Sequence, residues 1–321
     1  MKLQILMSTH NGTRYLRTQL ESIVAQTVRG KSLLIRDDGS ADQTRRILEE
    51  YQKKYPWIRC YYGSNIGARK SFFDLMRRSD READYIALAD QDDEWMPEKL
   101  EQAAASLSRL ERRCRPGEPL LYCSDWLPVD AELKPLRRTL RPMVRETSFG
   151  NALVQNVCTG CTAVANRNLV DLVCDGFRSC FAGTGWQAQM DSVIMHDWWL
   201  YLTAACFGNV YYDENAYIRY RQHGGNVFGT KTGHRQLLNY RLNELMQPRG
   251  EIFCQARAFG EIYKNRLDQP ENAENQRKLR KLLKAERSLA GRIAVAADAG
   301  YFRQKRSDDL IFRGIVLIGK L

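Results

Sequence analysis

Tyr85-Ile86-Ala87-Leu88-Ala89-Asp90-Gln91-Asp92-Asp93-Glu94-Trp95 joins an apolar run to an abrupt patch of acid. Ile86 to Ala89 are all apolar, and three carboxylates then follow within four positions. A continuous run of this kind has the pattern of a parallel strand buried on both faces. Open α/β sheets bind their ligands just beyond the carboxyl ends of such strands. Carboxylates crowded there repel one another unless a hard cation sits between them and a polyanion such as a diphosphate. A plainer reading makes the segment a strand-to-helix turn, with Asp93 as N-cap and Pro97 in the first helical turn. That accounts for Asp93 and Pro97 and leaves Asp90 and Asp92 without a use.

The flanking sequence supplies the rest of a sheet. Leu3–Met7 is a short apolar run, followed by Asn11-Gly12 and a helical stripe of Leu16, Leu20, Ile23 and Val24. A strand is expected at Leu33–Ile35, then the turn Asp37-Asp38-Gly39-Ser40 and a helix from near Ala41. Cys60–Tyr62 reads as a third strand, ahead of Asn65-Ile66-Gly67 and a helix through Phe72, Phe73, Leu75 and Met76. The acid-tipped run is the fourth strand and Pro119–Cys123 the fifth. Less regular sequence follows, with a strand expected at Val157–Ala165, a helix near His196–Cys206 and a strand at Val210–Tyr220. Alternating strands and helices imply right-handed crossovers and a mostly parallel central sheet. The class is therefore α/β and Rossmann-like, a nucleotide-binding architecture, although fold alone does not fix function.

At 321 residues and 44% hydrophobic composition, the chain can bury an α/β core and a smaller appendage. No apolar run reaches the roughly 20 residues of a membrane span. The N-terminal Met1–Ser8 is too short and strand-like for a signal peptide. Nine cysteines without such a signal suggest a reducing, cytoplasmic setting. Cys158-Thr159-Gly160-Cys161 has metal spacing, but Cys174 and Cys180 form no second pair of that kind, so buried thiols are the default over zinc. The net charge of +11 is uneven: residues 235–321 carry 18 Lys/Arg against 10 Asp/Glu. A division follows, 1–234 as the α/β domain and 235–321 as a basic helical region that associates with a membrane or another copy. Arg277 to Lys284 interleaves basic residues with a leucine face, as in an amphipathic helix. The tail Leu310–Leu321 is apolar with sparse positive charge, suited to a membrane interface or, alternatively, to a helical pair folded back on the main domain.

Taken in chain order, several segments resemble the family 2 glycosyltransferases of the GT-A fold, and most closely the rhamnosyltransferase-like branch. They are Ser8-Thr9-His10-Asn11-Gly12, Arg36-Asp37-Asp38-Gly39-Ser40, Asn65-Ile66-Gly67 and Asp90-Gln91-Asp92-Asp93-Glu94-Trp95. Gly160-Cys161-Thr162, His196-Asp197-Trp198-Trp199 and Arg221-Gln222-His223-Gly224-Gly225-Asn226 complete the set. Each is weak alone; their number, order and spacing over residues 1–230 are specific.

The resemblance implies inverting transfer of a sugar from a UDP- or dTDP-linked donor, dTDP-rhamnose among the candidates, onto a bacterial surface polysaccharide. Ser8, Thr9, Asn11 and Asp38 would face the nucleoside, with Asp38 accepting a ring N–H of the base; Asp38 also suits a turn cap. Asn65 and Gly67 would bring a loop to the nucleotide, with Lys70 or Arg69 near the diphosphate. Asp90 would lie by the ribose and diphosphate, and Asp92, completed by His223, would hold Mn²⁺ or Mg²⁺. Gly160 would allow close approach of a sugar to the backbone. Asp197 is implied as the general base, although it also suits a helix cap. Trp198 and Trp199 would offer a platform to the acceptor sugar, with one of the two equally suited to the core. His196 departs from the acidic residue that many members carry before the base, as the rhamnosyltransferase-like branch commonly does. The acceptor is expected to be lipid-linked, and the enzyme peripheral on the inner face of the cell membrane.

Other classes fit less well. A sugar-phosphate nucleotidyltransferase would show a glycine- and basic-rich loop after the first strand, which Ser8–Gly12 is not. A nucleic-acid-binding protein is suggested by charge alone, yet the surplus is C-terminal and the nucleotide motifs are N-terminal. A catalytically silent relative would not be expected to keep Asp92, Asp197 and His223.

Overall fold

β1 (Leu3–Thr9) and β4 (Tyr85–Ala89) are buried almost throughout, as strands covered on both faces must be. The computed structural model describes residues 1–136, 145–178, 190–223 and 250–321. Two units divide the chain. The first comprises Met1–Thr139, Cys158–Arg178 and Met195–Arg221; the second comprises Leu140–Val157, Ser179–Ile194 and Gln222–Leu321. The expected boundary at 234/235 lies outside the described residues, as does Cys180.

In the first unit β1 pairs in parallel with β2 (Lys31–Asp37) and with β4, and β2 pairs in parallel with β3 (Ile58–Tyr62). Register matches Thr9 with Asp37, Asp37 with Tyr62, and Met7 with Ala89, so the carboxyl ends of all four strands share one edge. The intervening helices are α1 (Leu16–Val24), α2 (Thr44–Lys54) and α3 (Ala68–Arg78). Leu16, Leu20 and Ile23 form the buried stripe of α1, as their spacing predicts. Four further strands extend the sheet: β5 (Glu94–Trp95), β6 (Leu120–Val129), β7 (Val164–Asn166) and β8 (Asn209–Arg221). The order is β3-β2-β1-β4-β7-β6-β8-β5, with β7 antiparallel to both its neighbours and β5 antiparallel to β8. The sheet is thus parallel on one side of β4 and mixed on the other. This is the GT-A arrangement, flanked by α4 (Lys99–Glu111), α5 (Arg167–Gly176) and α6 (His196–Phe207).

Three local expectations need correction. Asp93 caps no helix: α4 begins only at Lys99, and the chain first forms β5, because Asp93 Oδ1 accepts the backbone N–H of Arg221 from β8 at 3.1 Å. The strand expected at Val157–Ala165 shrinks to Val164–Asn166. Gly160–Thr162 turns instead, held by the Thr162 N–H and hydroxyl donating to the Thr159 carbonyl at 2.8 and 2.7 Å. Asp197 is not the cap of α6; Met195 holds that position and Asp197 lies in the first turn.

The second unit is helical. α7 (Glu251–Ile262) buries Phe253, Ala256 and Phe259, and α8 (Ala273–Arg287) buries Leu279, Leu282 and Ala285. Phe149 sets its ring, tilted by 39°, 5.6 Å from that of Phe259. α9 (Leu289–Ala297) and α10 (Arg306–Ile318) pack together, with a guanidinium N–H of Arg313 donating to the Ala296 carbonyl. α10 buries Phe312 and Val316 and leaves Leu310, Leu317 and Ile318 exposed on its other side. No helix of the described residues is long and apolar enough to cross a membrane.

Candidate active site

The shared carboxyl edge of β1, β2, β3 and β4 carries the nucleotide-type motifs. Ser8, at the end of β1, meets Ser71 of α3 at 2.6 Å between hydroxyls, and the Thr9 hydroxyl donates to Asp37 Oδ2 at 3.3 Å. Asn11, with a left-handed φ of 48°, accepts the N–H of Ala41 on Oδ1 at 2.9 Å. These contacts bind the β1 loop to the turn after β2.

Asp38 is almost fully buried and heavily engaged. Oδ1 accepts from Arg36 and from the N–H of Ile66 at 2.8 Å, and Oδ2 accepts the N–H of Gly67 at 2.9 Å. A carboxylate offers about four lone-pair sites. Asp38 therefore sculpts the Asn65-Ile66-Gly67 loop first, with room for one further donor on Oδ2. Asn65 Oδ1 also accepts the Gly67 N–H, at 3.0 Å. Gly67 needs to be glycine: its φ is +81°, and nothing stands within 4 Å of where a Cβ would point. Lys70 follows in the first turn of α3, the helix whose N-terminal N–H groups open at this loop. Buried Arg36, which opens the Arg36-Asp37-Asp38-Gly39-Ser40 motif but was given no role there, is the anchor that sequence reasoning missed.

Beyond β4 the carboxylates come together. Asp90 is half-buried, and its pKa rises to about 7, chiefly through burial and then through the nearby charges of Asp92 and Asp197. The structure thus gathers the implied base and two of the acid-patch aspartates into one electrostatic neighbourhood. Asp93 is wholly buried and pushed well above the carboxylate range, by burial first and then by Asp90 and Asp92. Its Oδ2 has no hydrogen-bond partner among the described residues.

Asp90, Asp93 and Cys161 place ligand atoms within 4.8 Å of one another, and no other such group of three occurs among the described residues. The two carboxylates suit a hard divalent cation, which would relieve the repulsion that adds to burial in raising both pKa values; the buried Cys161 thiol is a soft donor and the poorer part of the set. The residues fit a divalent metal. Among the described residues Cys158, Cys161 and Cys174 form no group of three ligands, and Cys180 lies outside them; Cys158 sits beside Cys123, and Cys161 beside Asp93. Lys99 lies behind this group with its ammonium 3.6 Å from the Trp95 ring centroid. Burial brings its pKa down to about 7 against the upward pull of Cys161 and Asp93.

Asp197 is close to fully buried, with Oδ1 accepting the Trp198 N–H at 2.7 Å. Gly160 abuts it: a Cβ there would stand 3.5 Å from Asp197 Oδ2 and 3.2 Å from His196 Nε2. The tryptophan pair divides. Trp199 is wholly buried against Phe177, 5.2 Å between rings, and presents no face to an acceptor. Trp198 is half-buried and keeps that possibility open. His223 follows β8 by two residues, and the Gly224-Gly225-Asn226 after it lies outside the described residues.

A family model described as "Glycosyl transferase family 2" matches residues 4–164. A protein of Shigella flexneri named dTDP-rhamnosyl transferase RfbG is 30% identical over 229 residues, 70% of this chain and 73% of its own. Among solved structures, S. aureus TarS 1–349 in complex with UDP-GlcNAc aligns with a TM-score of 0.53 at 15% identity, over 99% of this chain and 91% of its own. The same protein in complex with UDP gives 0.52 at 14% identity, over 100% and 89%. The chain belongs to glycosyl transferase family 2 and is a glycosyltransferase, with the fold that its strand order and these neighbours share.

Proposed function

We propose that this glycosyltransferase moves a sugar, with inversion, from a UDP- or dTDP-linked donor to a saccharide acceptor in bacterial cell-surface polysaccharide synthesis. The observation that carries the proposal is the proximity of Asp197 to Asp90 and Asp92 at the carboxyl edge of the parallel strands. Inverting transfer needs one carboxylate to take the proton from the acceptor hydroxyl as its oxygen attacks the anomeric carbon. It needs no second carboxylic acid, because a neutralised diphosphate already leaves readily. Asp197 supplies that carboxylate.

Ser8, Thr9, Asn11, Asn65 and Gly67 line the nucleoside end, and the remaining lone pair of Asp38 Oδ2 accepts the ring N–H of uracil or thymine. Lys70 faces the diphosphate from the start of α3, and Asp90 the ribose and diphosphate. Asp92, completed by His223, would hold Mn²⁺ or Mg²⁺, with Asp90 and Asp93 adjoining. Such an ion, when bound, neutralises charge on the departing diphosphate. Gly160 admits a sugar against the backbone, and Trp198 receives the acceptor. The 30% identity to a named dTDP-rhamnosyl transferase favours dTDP-rhamnose as donor.

The acceptor is lipid-linked in this reading, and the enzyme works on the cytoplasmic membrane surface. Of the exposed large hydrophobic side chains, Leu289, Ile293, Leu310, Leu317 and Ile318 all fall on α9 and α10. Exposed Arg277, Arg280, Lys284 and Arg287 run along α8 at helical spacing. Apolar and basic faces together suit an anionic bilayer.

The test is incubation with dTDP-rhamnose and with UDP-sugars, with and without Mn²⁺, followed by release of nucleoside diphosphate and the anomeric configuration of the product. Metal-dependent release with inversion is expected. Retention would reassign Asp197, and binding of nucleotide without any turnover would point to a silent relative.

A further inference from the structure

His196 precedes the implied base, yet no described residue uses its polar atoms. The ring is 3% exposed, and neither Nδ1 nor Nε2 has a hydrogen-bond partner among the described residues. Phe72 of α3 stacks on it with centroids 4.1 Å apart and planes at 21°, which fixes the ring and leaves only its edges to bond. A Cβ on Gly160 would stand 3.2 Å from Nε2 and 3.5 Å from Asp197 Oδ2, so both atoms border the same small volume. Burial holds the imidazole near a pKa of 3, so the ring is neutral at working pH and carries one N–H donor and one acceptor. A buried polar group left unbonded is costly, and native structures keep such groups where a ligand completes them.

We propose that His196 is a specificity-determining residue whose Nε2 edge hydrogen-bonds a hydroxyl of the sugar carried by the nucleotide donor, beside Asp197. The assignment rests on the glycosyltransferase reading above. The donor sugar is the better occupant because its diphosphate anchors it at the strand ends, within reach of a deeply set ring. An acceptor docks from outside, where half-buried Trp198 lies. A neutral imidazole also suits a hydroxyl, since it can give or take the hydrogen bond without competing for the charge of Asp197.

Calorimetric titration with dTDP, dTDP-rhamnose, UDP and UDP-GlcNAc, all with Mn²⁺, separates the outcomes. His196→Phe keeps the flat stack on Phe72 and removes both nitrogens. It should leave the nucleoside diphosphate Kd within about twofold and weaken the preferred sugar nucleotide about tenfold, the scale of one lost hydrogen bond to a site built for it. His196→Gln, with an amide N–H at a similar reach, should recover most of that loss. If the Phe variant fails to melt cooperatively, His196→Asn, polar but shorter, takes its place with the same expectation. Unchanged sugar-nucleotide affinity, or an equal loss for the bare diphosphate, overturns the assignment. Failure of the wild-type chain to bind any of the four overturns the UDP- or dTDP-linked donor reading on which the assignment rests.

Discussion

Asp93 and Arg221 clasp each other across the edge of the sheet. Asp93 Oδ1 accepts the Arg221 backbone N–H at 3.1 Å, while Arg221 Nε donates to the Asp92 carbonyl at 2.7 Å. The guanidinium also donates to the Ala131 carbonyl and sits 4.5 Å from the Tyr15 ring centroid. One buried arginine therefore ties the acid patch after β4 to β8, to the loop after β6 and to the loop after β1. The aspartates that would meet a metal owe their position to a residue more than a hundred places away.

Arg221→Lys keeps the charge and loses the planar fork. With two carbonyls deprived of their donors, a loss of about 2 kcal/mol in unfolding free energy is expected by urea titration. Mn²⁺ affinity should fall in parallel as the Asp92 backbone loosens. Wild-type stability in the variant would show that the clasp is incidental.

Asp92→Ala should abolish the Mn²⁺-dependent part of nucleotide binding. An unchanged calorimetric affinity with Mn²⁺ would remove Asp92 from the metal site and leave Asp90, Asp93 and Cys161 as its ligands.

The raised pKa of Asp90 gives metal binding a pH signature. Between the ordinary value of 3.8 and about 7, the folded chain keeps a proton there that the unfolded chain has released. Folding stability contributed by this group accordingly falls as pH rises through that window and levels off above it. A divalent cation competes for the ionised form, so its affinity rises with pH up to about 7. Mn²⁺ titrated in two buffers of different ionisation heat should release more protons at pH 6 than at pH 8. Asp90→Asn should remove the difference. Equal release at both pH values would place the proton elsewhere.

Gly160→Ala and Asp197→Asn test the two sides of the base. Asp197→Asn should retain donor binding and lower turnover by about 10²-fold or more. Gly160→Ala puts a methyl in ordinary contact with Asp197 Oδ2, at 3.5 Å, and 3.2 Å from His196 Nε2, so the imidazole must give by a few tenths of an ångström. That is well short of the roughly 1 Å that costs about 10²-fold, so kcat should fall by no more than about tenfold while nucleotide affinity is spared. A fully active Gly160→Ala enzyme would mean that neither side chain faces the sugar.

These residues also show what the sequence made legible. The runs Leu3–Met7 and Ile86–Ala89 announced buried parallel strands because both faces are covered and no alternation remains. Asp90 and Asp92 stood out because carboxylates crowded at a strand end repel one another, and Asp197 because the motif around it resembles the family's. Asp93 misled, since a carboxylate before a proline resembles a cap, and its true partner sits on β8. Val157–Ala165 misled for a local reason: its apolar composition suits a strand, but the Thr159–Thr162 hydrogen bonds turn the chain. Arg36 and the orphaned ring of His196 were invisible, since each is defined by what another element brings to it.

Membrane association can be separated from folding on α10 itself. Phe312 and Val316 are buried and hold the helix to its unit, whereas Leu310 and Ile318 are 72% and 59% exposed. Leu310→Glu with Ile318→Glu should therefore leave the melting temperature within a few degrees. The same pair should reduce co-sedimentation with vesicles of mixed anionic and neutral lipid severalfold, because two apolar contacts are lost and two negative charges meet an anionic surface. Purely neutral vesicles should bind the wild-type chain weakly, since the basic stripe on α8 then has nothing to attract. If the double variant sediments as the wild type does, the exposed face of α10 takes no part in membrane contact. A variant that loses its cooperative melt would instead show that this face is structural, and the bilayer reading of the helical unit would fall with it.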